Sequence, residues 1–303
     1  MLRGTLLYLS GRPGLRRWME TSSVARGLSA RFIAGSTLDE ALSVCRRIKS
    51  EGIAATLDYL GENVRTLGEA GVCRDMYLRM LDAMHAAGLE PNVSLKLTQF
   101  GLDFSTDACE NNVAQLVERA ASIRGFVRID MEASRYTDRT LGIVTRLHRR
   151  FGACGTVIQS YLTRSAADVD ALIAERIRVR LCKGAYLEPP AVAFESKTDV
   201  DRAYVELAGR LLESGVYPAI ATHDERMIES VRRFAEKHGI VKDRFEFQML
   251  YGIRRDLQRE LVAEGYRLRL YVPFGEAWYP YFMRRLAERP ANLLFLARNL
   301  VRS

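Results

Sequence analysis

Eight short segments rich in branched and aromatic residues recur along the chain at intervals of roughly 23 to 39 residues, with helix-like patterning between them. In order they read AATLDYLG, VSLKLTQF, FVRIDME, GTVIQSYL, RVRLCKGAY, YPAIATHD, FEFQMLYG and LRLYVPFG. Eight strands, each followed by a helical stretch and joined by right-handed crossovers, predict an α/β chain closed into a parallel (β/α)8 barrel. The spacing is too variable for a repeat array. A doubly wound open sheet is the competing architecture, but it would normally announce a nucleotide site with GxGxxG or GxxxxGK(S/T) after an early strand, and neither motif occurs. A barrel of this type accommodates 303 residues as one unit. The expected division is an N-terminal helical segment at 1–50 followed by the barrel at 51–303.

Composition narrows the functional classes. An apolar fraction of 48% with 27% charged residues is ordinary for a globular chain. The net charge of +8 raises nucleic acid or anionic lipid as a partner. The basic residues are interleaved with acids, however, and no long basic run, helix-turn-helix or finger spacing stands out, which argues against nucleic acid. A basic surface that visits lipid headgroups stays open. Five scattered cysteines, Cys45, Cys73, Cys109, Cys154 and Cys182, suggest neither a disulfide framework nor a thiolate metal site, and a reduced compartment fits them best. His85, His148, His223 and His238 are far apart, so no metal is expected. The first 32 residues are rich in arginine and poor in acids, a superficial likeness to a transit peptide; amphipathic helices preceding the main fold are the favoured reading. No stretch is long and apolar enough for a membrane span, so membrane contact would be peripheral.

In such a barrel reactive groups sit where strands run into their C-terminal loops. Asp58, Lys96, Asp130, Gln159, Lys183, His223, Gln248 and Tyr271 fall within or at the ends of the eight segments in turn. Strand alternation sends Ser94, Lys96 and Thr98 one way, and Arg128, Asp130 and Glu132 one way, opposite Val127, Ile129 and Met131. Charges directed into a barrel are expensive unless they pair with one another or serve a ligand. Each residue taken singly reads as a satisfied structural group; their recurrence on successive strands points to a polar ligand or cofactor site.

Near the C-terminus, WYPYFMRRLAERP would place Tyr281, Arg284, Arg285 and Glu288 on one helical face, at i, i+3, i+4 and i+7. One reading is an exposed Arg284–Glu288 ion pair worth about 0 to 1 kcal/mol, with Arg285 solvated beside it. The other is a pair of planar guanidiniums holding a small carboxylate or phosphate.

The segments LDYLGE, SLKLTQFGLD, VRIDME, IQSYL, RLCKGAY, ATHD, EFQMLYG, YVPFG and WYPYFMRRLAERPAN, taken in order from about residue 30 onward, resemble proline dehydrogenase of the compact, single-activity bacterial type. The resemblance implies a distorted TIM-type barrel with additional N-terminal helices, carrying FAD and oxidising L-proline to Δ1-pyrroline-5-carboxylate. It implies a carboxylate clamp of Arg284, Arg285 and Lys96, an aromatic wall of Tyr271 and Tyr281, and Glu288 holding an arginine or the substrate nitrogen. Glu62 resembles the acidic half of a gate that pairs with Arg285. Flavin contacts would fall on Met131, Gln159, Arg180, Lys183, Gly184, Ala185, Thr222 and His223. Asp130 and Arg180 would act electrostatically, with Asp130 positioning Lys96. A quinone is the electron acceptor the resemblance implies, and the expected location is cytoplasmic, with peripheral contact at the inner face of the cytoplasmic membrane left open. Cys182 and Phe274 depart from the residues common at their positions, a branched aliphatic and a tyrosine.

Two further readings stay alive on the residues alone. A strand-end lysine, Lys96 or Lys183, could form a Schiff base with a carbonyl substrate. A basic, non-catalytic interaction module would bind polyanions in a salt-dependent way. Residues 187–199, with Pro189 and Pro190 adjacent, read as a loop insertion after the fifth strand.

Overall fold

The computed structural model describes residues 31–61, 64–279, 281 and 283. Eight parallel strands pair in sequence order and close on themselves: β1 (Ala54–Tyr59), β2 (Asn92–Leu95), β3 (Phe126–Ile129), β4 (Cys154–Gln159), β5 (Arg178–Cys182), β6 (Ala219–Ala221), β7 (Glu246–Leu250) and β8 (Leu268–Phe274). Closure excludes the open-sheet alternative. β1 meets β8 along its full length, from Ala54↔Arg269 to Tyr59↔Phe274, whereas β1 and β2 share only the pair Leu57↔Val93. With β6 reduced to three residues as well, the barrel is irregular in the way a distorted one should be.

Helix α1 (Leu38–Ser50) precedes β1, and α2 (Leu67–Ala86), α3 (Thr106–Ser122), α4 (Thr137–Phe151), α5 (Ser165–Ala174), α6 (Lys197–Ser214), α7 (Glu225–Lys237) and α8 (Arg255–Ala263) follow β1 to β7 in turn. The start of α1 is a capping box, Thr37 and Glu40 each satisfying the other's backbone amide. Ala41, Leu42, Cys45 and Ile48 recur at helical spacing and are buried, so α1 lays one apolar face on the barrel against β1 and β8. The N-caps Thr66, Ser105, Ser196 and Asp224 set the starts of α2, α3, α6 and α7 by the same side-chain acceptance.

Alternation along the strands separates two interiors. Leu57, Val93, Leu95, Val127, Ile129, Val179, Leu181, Ile220, Phe247 and Met249 are buried between sheet and helices and form the apolar core. The opposite residues point into the barrel. Arg180 on β5 bonds Ser94 on β2, three strands away, which is possible only across the lumen. The lumen is polar over much of its depth: Arg269, Glu246, Arg128, Thr56, Ser94 and Gln248 are all buried there. Gly155 makes room for this filling. A Cβ there would lie 2.3 Å from the Arg178 carbonyl and 3.0 Å from Arg128 Nη1, the guanidinium nitrogen that bonds the Thr156 and Arg178 carbonyls.

Candidate active site at the barrel mouth

The strands deliver their polar ends to one rim. Asp58 lies near the end of β1 and Gln159 ends β4, while Lys96, Asp130 and Lys183 each follow the last residue of β2, β3 and β5. At the centre is Arg180, 6% exposed, whose guanidinium is held on three sides. Nη1 donates to Asp130 Oδ1 at 2.9 Å, Nη2 to Ser94 Oγ at 2.9 Å, and Nε to Gln248 Oε1 at 2.5 Å. The other Asp130 oxygen accepts from the Tyr271 hydroxyl at 3.1 Å, and the Arg180 guanidinium lies 5.4 Å from the centre of the Tyr271 ring. Burial, with the charges of Asp130 and Asp58 added to it, pushes the Tyr271 phenol well above its ordinary range, so Tyr271 is a donor at any physiological pH.

Lys96 is placed differently from the expectation. Its Nζ lies 3.6 Å from Asp58 Oδ2, whereas Asp130 engages Arg180 and Tyr271. Asp58 is fully buried, and the Tyr77 hydroxyl, entering from α2, lies 3.0 Å from its Oδ1 and 2.9 Å from the Ser94 carbonyl, with one proton to share between them. Tyr77 escaped the sequence reading because a tyrosine among Met76, Leu78, Met80 and Leu81 looks like ordinary helix core. Only the packing of α2 over β1 and β2 shows its hydroxyl reaching the strand ends.

On the opposite side of the rim, Gln159 is buried and donates to the Glu132 carbonyl, holding the chain next to Met131. Glu132 in turn accepts from the Thr98 amide and hydroxyl, tying the β3 loop to the β2 loop. His223 Nε2 accepts from the Leu250 amide at 3.0 Å, so that nitrogen carries no proton and its lone pair is engaged. Thr222 accepts from the Asp224 amide. Lys183 bonds Asp201 and, at 2.9 Å, Asp224; Asp201 also takes Lys197 at 2.5 Å, and Arg226 lies within 3.7 Å. Three cations therefore face two carboxylates, leaving one net positive charge at this corner. Asp201 sits in the second turn of α6, and Asp224 is the N-cap of α7.

Gly184 and Ala185 are exposed, and Gly184 has a φ of +118°, where a Cβ would also lie 2.2 Å from the Tyr161 ring. The following loop is strapped down by the Leu162↔Ala193 bridge and by Glu188, which accepts from the Ser134 amide and hydroxyl at 2.7 and 2.5 Å. It ends at the Ser196 cap, three residues before the expected Asp199. Tyr186, Leu187 and Phe194 present exposed apolar surface along it. A corner with net positive charge, open glycine backbone and exposed aromatics suits a long ligand with an anionic part and a flat body.

Tyr281 is buried, as are its neighbours Trp278 and Tyr279. Arg284, Arg285, Glu288 and Glu62 lie outside the described residues. Among the described residues no group of His, Cys, Asp and Glu is arranged to hold a metal, and no helix is long and apolar enough to cross a membrane.

Residues 41–298 match the family model described as proline dehydrogenase. The chain is 44% identical to a proline dehydrogenase of Deinococcus radiodurans over 91% of its own length and 90% of the relative's. It is 39% identical to proline dehydrogenase 1 of Bacillus subtilis strain 168, with both chains fully covered. A crystal structure of proline utilization A from Bdellovibrio bacteriovorus, inactivated by N-propargylglycine, superposes with a TM-score of 0.82 at 28% identity; the match covers 87% of this chain and 33% of that one. The proline utilization A chain is thus matched over a third of its length, and the two proline dehydrogenases nearly end to end. Similarity of that extent, carried on a barrel whose polar rim has just been described, places the chain in the proline dehydrogenase family.

Proposed function

We propose that the protein oxidises L-proline to Δ1-pyrroline-5-carboxylate with FAD as its cofactor and a quinone as the final electron acceptor. The observation that carries this reading is the Asp130–Arg180–Tyr271 assembly, a buried cation and carboxylate fixed at the barrel mouth with an aromatic ring beside them.

Bound FAD would supply the acceptor for the hydride leaving C5 of proline. The chain's own contribution is binding and orientation. The residues that suit FAD are Gln159, Thr222 and His223 for polar edges, Arg180 and the net positive Lys183 corner for negative charge, and Met131, Gly184 and Ala185 for close backbone approach. The fit rests on the open Gly184 backbone and on the exposed aromatics that follow it. Lys96, with Arg284 and Arg285, is assigned to the proline carboxylate, because charge-assisted hydrogen bonds of about 1.5 to 3 kcal/mol each are what a small zwitterion offers for grip. Tyr271 and Tyr281 wall the ring, and Glu288 holds an arginine or the substrate nitrogen. Pairing of Glu62 with Arg285 would close the site and exclude water. The chain's positive charge gives a peripheral approach to an anionic membrane, where a quinone resides, a physical basis.

The test is spectroscopic. Purified protein, reconstituted with FAD if necessary, should be yellow and should bleach when L-proline is added without oxygen. A preparation that cannot take up FAD, or one whose bands ignore L-proline, would refute the proposal.

A further inference from the structure

Gln248, on β7 and 4% exposed, is bonded at both ends of its carboxamide. Oε1 accepts from Arg180 Nε at 2.5 Å, and Nε2 donates to Glu246 Oε1. The amide has no choice of direction, since an ionised carboxylate can only accept and a guanidinium can only donate. Glu246 is fixed from below by Arg269, whose Nε lies 2.9 and 3.2 Å from its two oxygens. Arg269 is anchored in turn to the Ala55 carbonyl and to Glu90, at 3.0 Å each. A continuous hydrogen-bonded column thus rises from the barrel floor to Arg180 and on to Asp130.

We propose that Gln248 is a positioning residue for the oxidation, carrying the orientation set by the Glu246–Arg269 pair up to Arg180 and so fixing the Arg180–Asp130 pair at the mouth. This rests on the reading that Arg180 and Asp130 face the reacting groups. The geometry explains why an amide is needed. Arg180 is held through Nε, Nη1 and Nη2 by β7, by the residue after β3 and by β2; without the Nε contact it keeps only Asp130 and Ser94, and its plane can tilt about them. An apolar residue would strand both Glu246 and Arg180. A glutamate would reproduce the amide only while protonated, because its ionised form sets a second carboxylate against Glu246. The charges facing that position are Glu246 on β7, Arg180 on β5, Arg269 on β8, and Arg128 and Asp130 from the β3 side.

Gln248→Glu and Gln248→Met separate positioning from simple packing when kcat, KM for L-proline and the urea midpoint are followed from about pH 6 to about pH 9. Gln248→Glu, whose ionised form cannot donate to Glu246, should lower kcat by about 10-fold with KM within about 2-fold and should lower the urea midpoint. Gln248→Met should lose about 10- to 100-fold in kcat at every pH. If both variants keep kcat within about 2-fold across the range, or if Gln248→Glu leaves the urea midpoint of the unaltered protein unchanged, the proposal is wrong. Failure of the unaltered protein to oxidise L-proline would instead contradict the function proposed above, and the urea arm would still decide whether the amide spans Glu246 and Arg180.

Discussion

Replacing Tyr271 with phenylalanine removes one hydroxyl and leaves the ring that lies beside Arg180. The hydroxyl donates to Asp130 Oδ2 at 3.1 Å, so what is lost is a hydrogen bond to a charged acceptor, about 1.5 to 3 kcal/mol. Arg180 still holds the other Asp130 oxygen, which keeps the carboxylate in place and argues for the lower half of that range. If the whole loss were felt in the transition state, kcat would fall by about 10-fold or somewhat more. The pH dependence of unfolding gives a second reading. Tyr271's phenol is raised above its unfolded value of about 10, so above that pH the unfolded chain has released a proton that the folded chain retains. Stability is then lost as pH rises, by about 1.4 kcal/mol per pH unit for this one group. Urea unfolding of Tyr271→Phe should therefore fall less steeply between about pH 10 and pH 11 than that of the unaltered protein, by about one proton's worth of slope. Equal slopes, with kcat unchanged, would show that the hydroxyl neither bonds Asp130 nor contributes to the site.

Further outcomes follow from other parts of the rim and lumen. If Lys96, Arg284 and Arg285 hold the proline carboxylate as proposed, Arg284→Ala, Arg285→Ala and Lys96→Met should each raise KM for L-proline by about 10-fold or more and leave the spectrum of the proposed flavin unchanged, because each would remove a charge-assisted bond of about 1.5 to 3 kcal/mol. Gly184→Ala should cost about 1 to 3 kcal/mol of urea stability or displace the loop after β5, since it imposes a side chain at positive φ against the Tyr161 ring. Burial alone would raise the Glu246 carboxyl, but Arg269 and the hydrogen bonds from Arg269 and Gln248 leave it below its ordinary value. Its stabilisation is present above the unfolded value of about 4.3 and is lost as pH falls through the folded one. Glu246→Gln should cost about 3 to 5 kcal/mol at neutral pH by leaving Arg269 without its buried partner, and the gap to the unaltered protein should narrow in acid urea titrations.

The barrel was legible because alternation and spacing are local properties. VSLKLT and VRIDME assign Ser94, Arg128 and Asp130 to the lumen without any knowledge of their partners. The partners are not local. Arg180 meets Ser94 across 86 positions and Gln248 across 68, so the sequence predicts a polar lumen and cannot say which acid meets which base. Adjacency of strands therefore pairs Asp130 with Lys96 in the sequence, whereas Arg180 is its partner in the structure. Lys183 shows the same limit: its two carboxylates come from the second turn of α6 and from the cap of α7, and the cap position has its own sufficient reason to be acidic. Tyr77 marks a different one, a helix residue whose ring satisfies the core while its hydroxyl serves the site.

The most direct test is the rate at which L-proline reduces the proposed flavin in the absence of oxygen, compared by stopped flow between the unaltered protein and Asp130→Asn. The substitution keeps the shape of the side chain and removes the charge that pairs with Arg180 at 2.9 Å. The predicted result is a limiting reduction rate lowered by about 10-fold or more with flavin still bound. An unchanged rate at saturating L-proline would mean that the oxidation does not take place beside the Arg180–Asp130 pair.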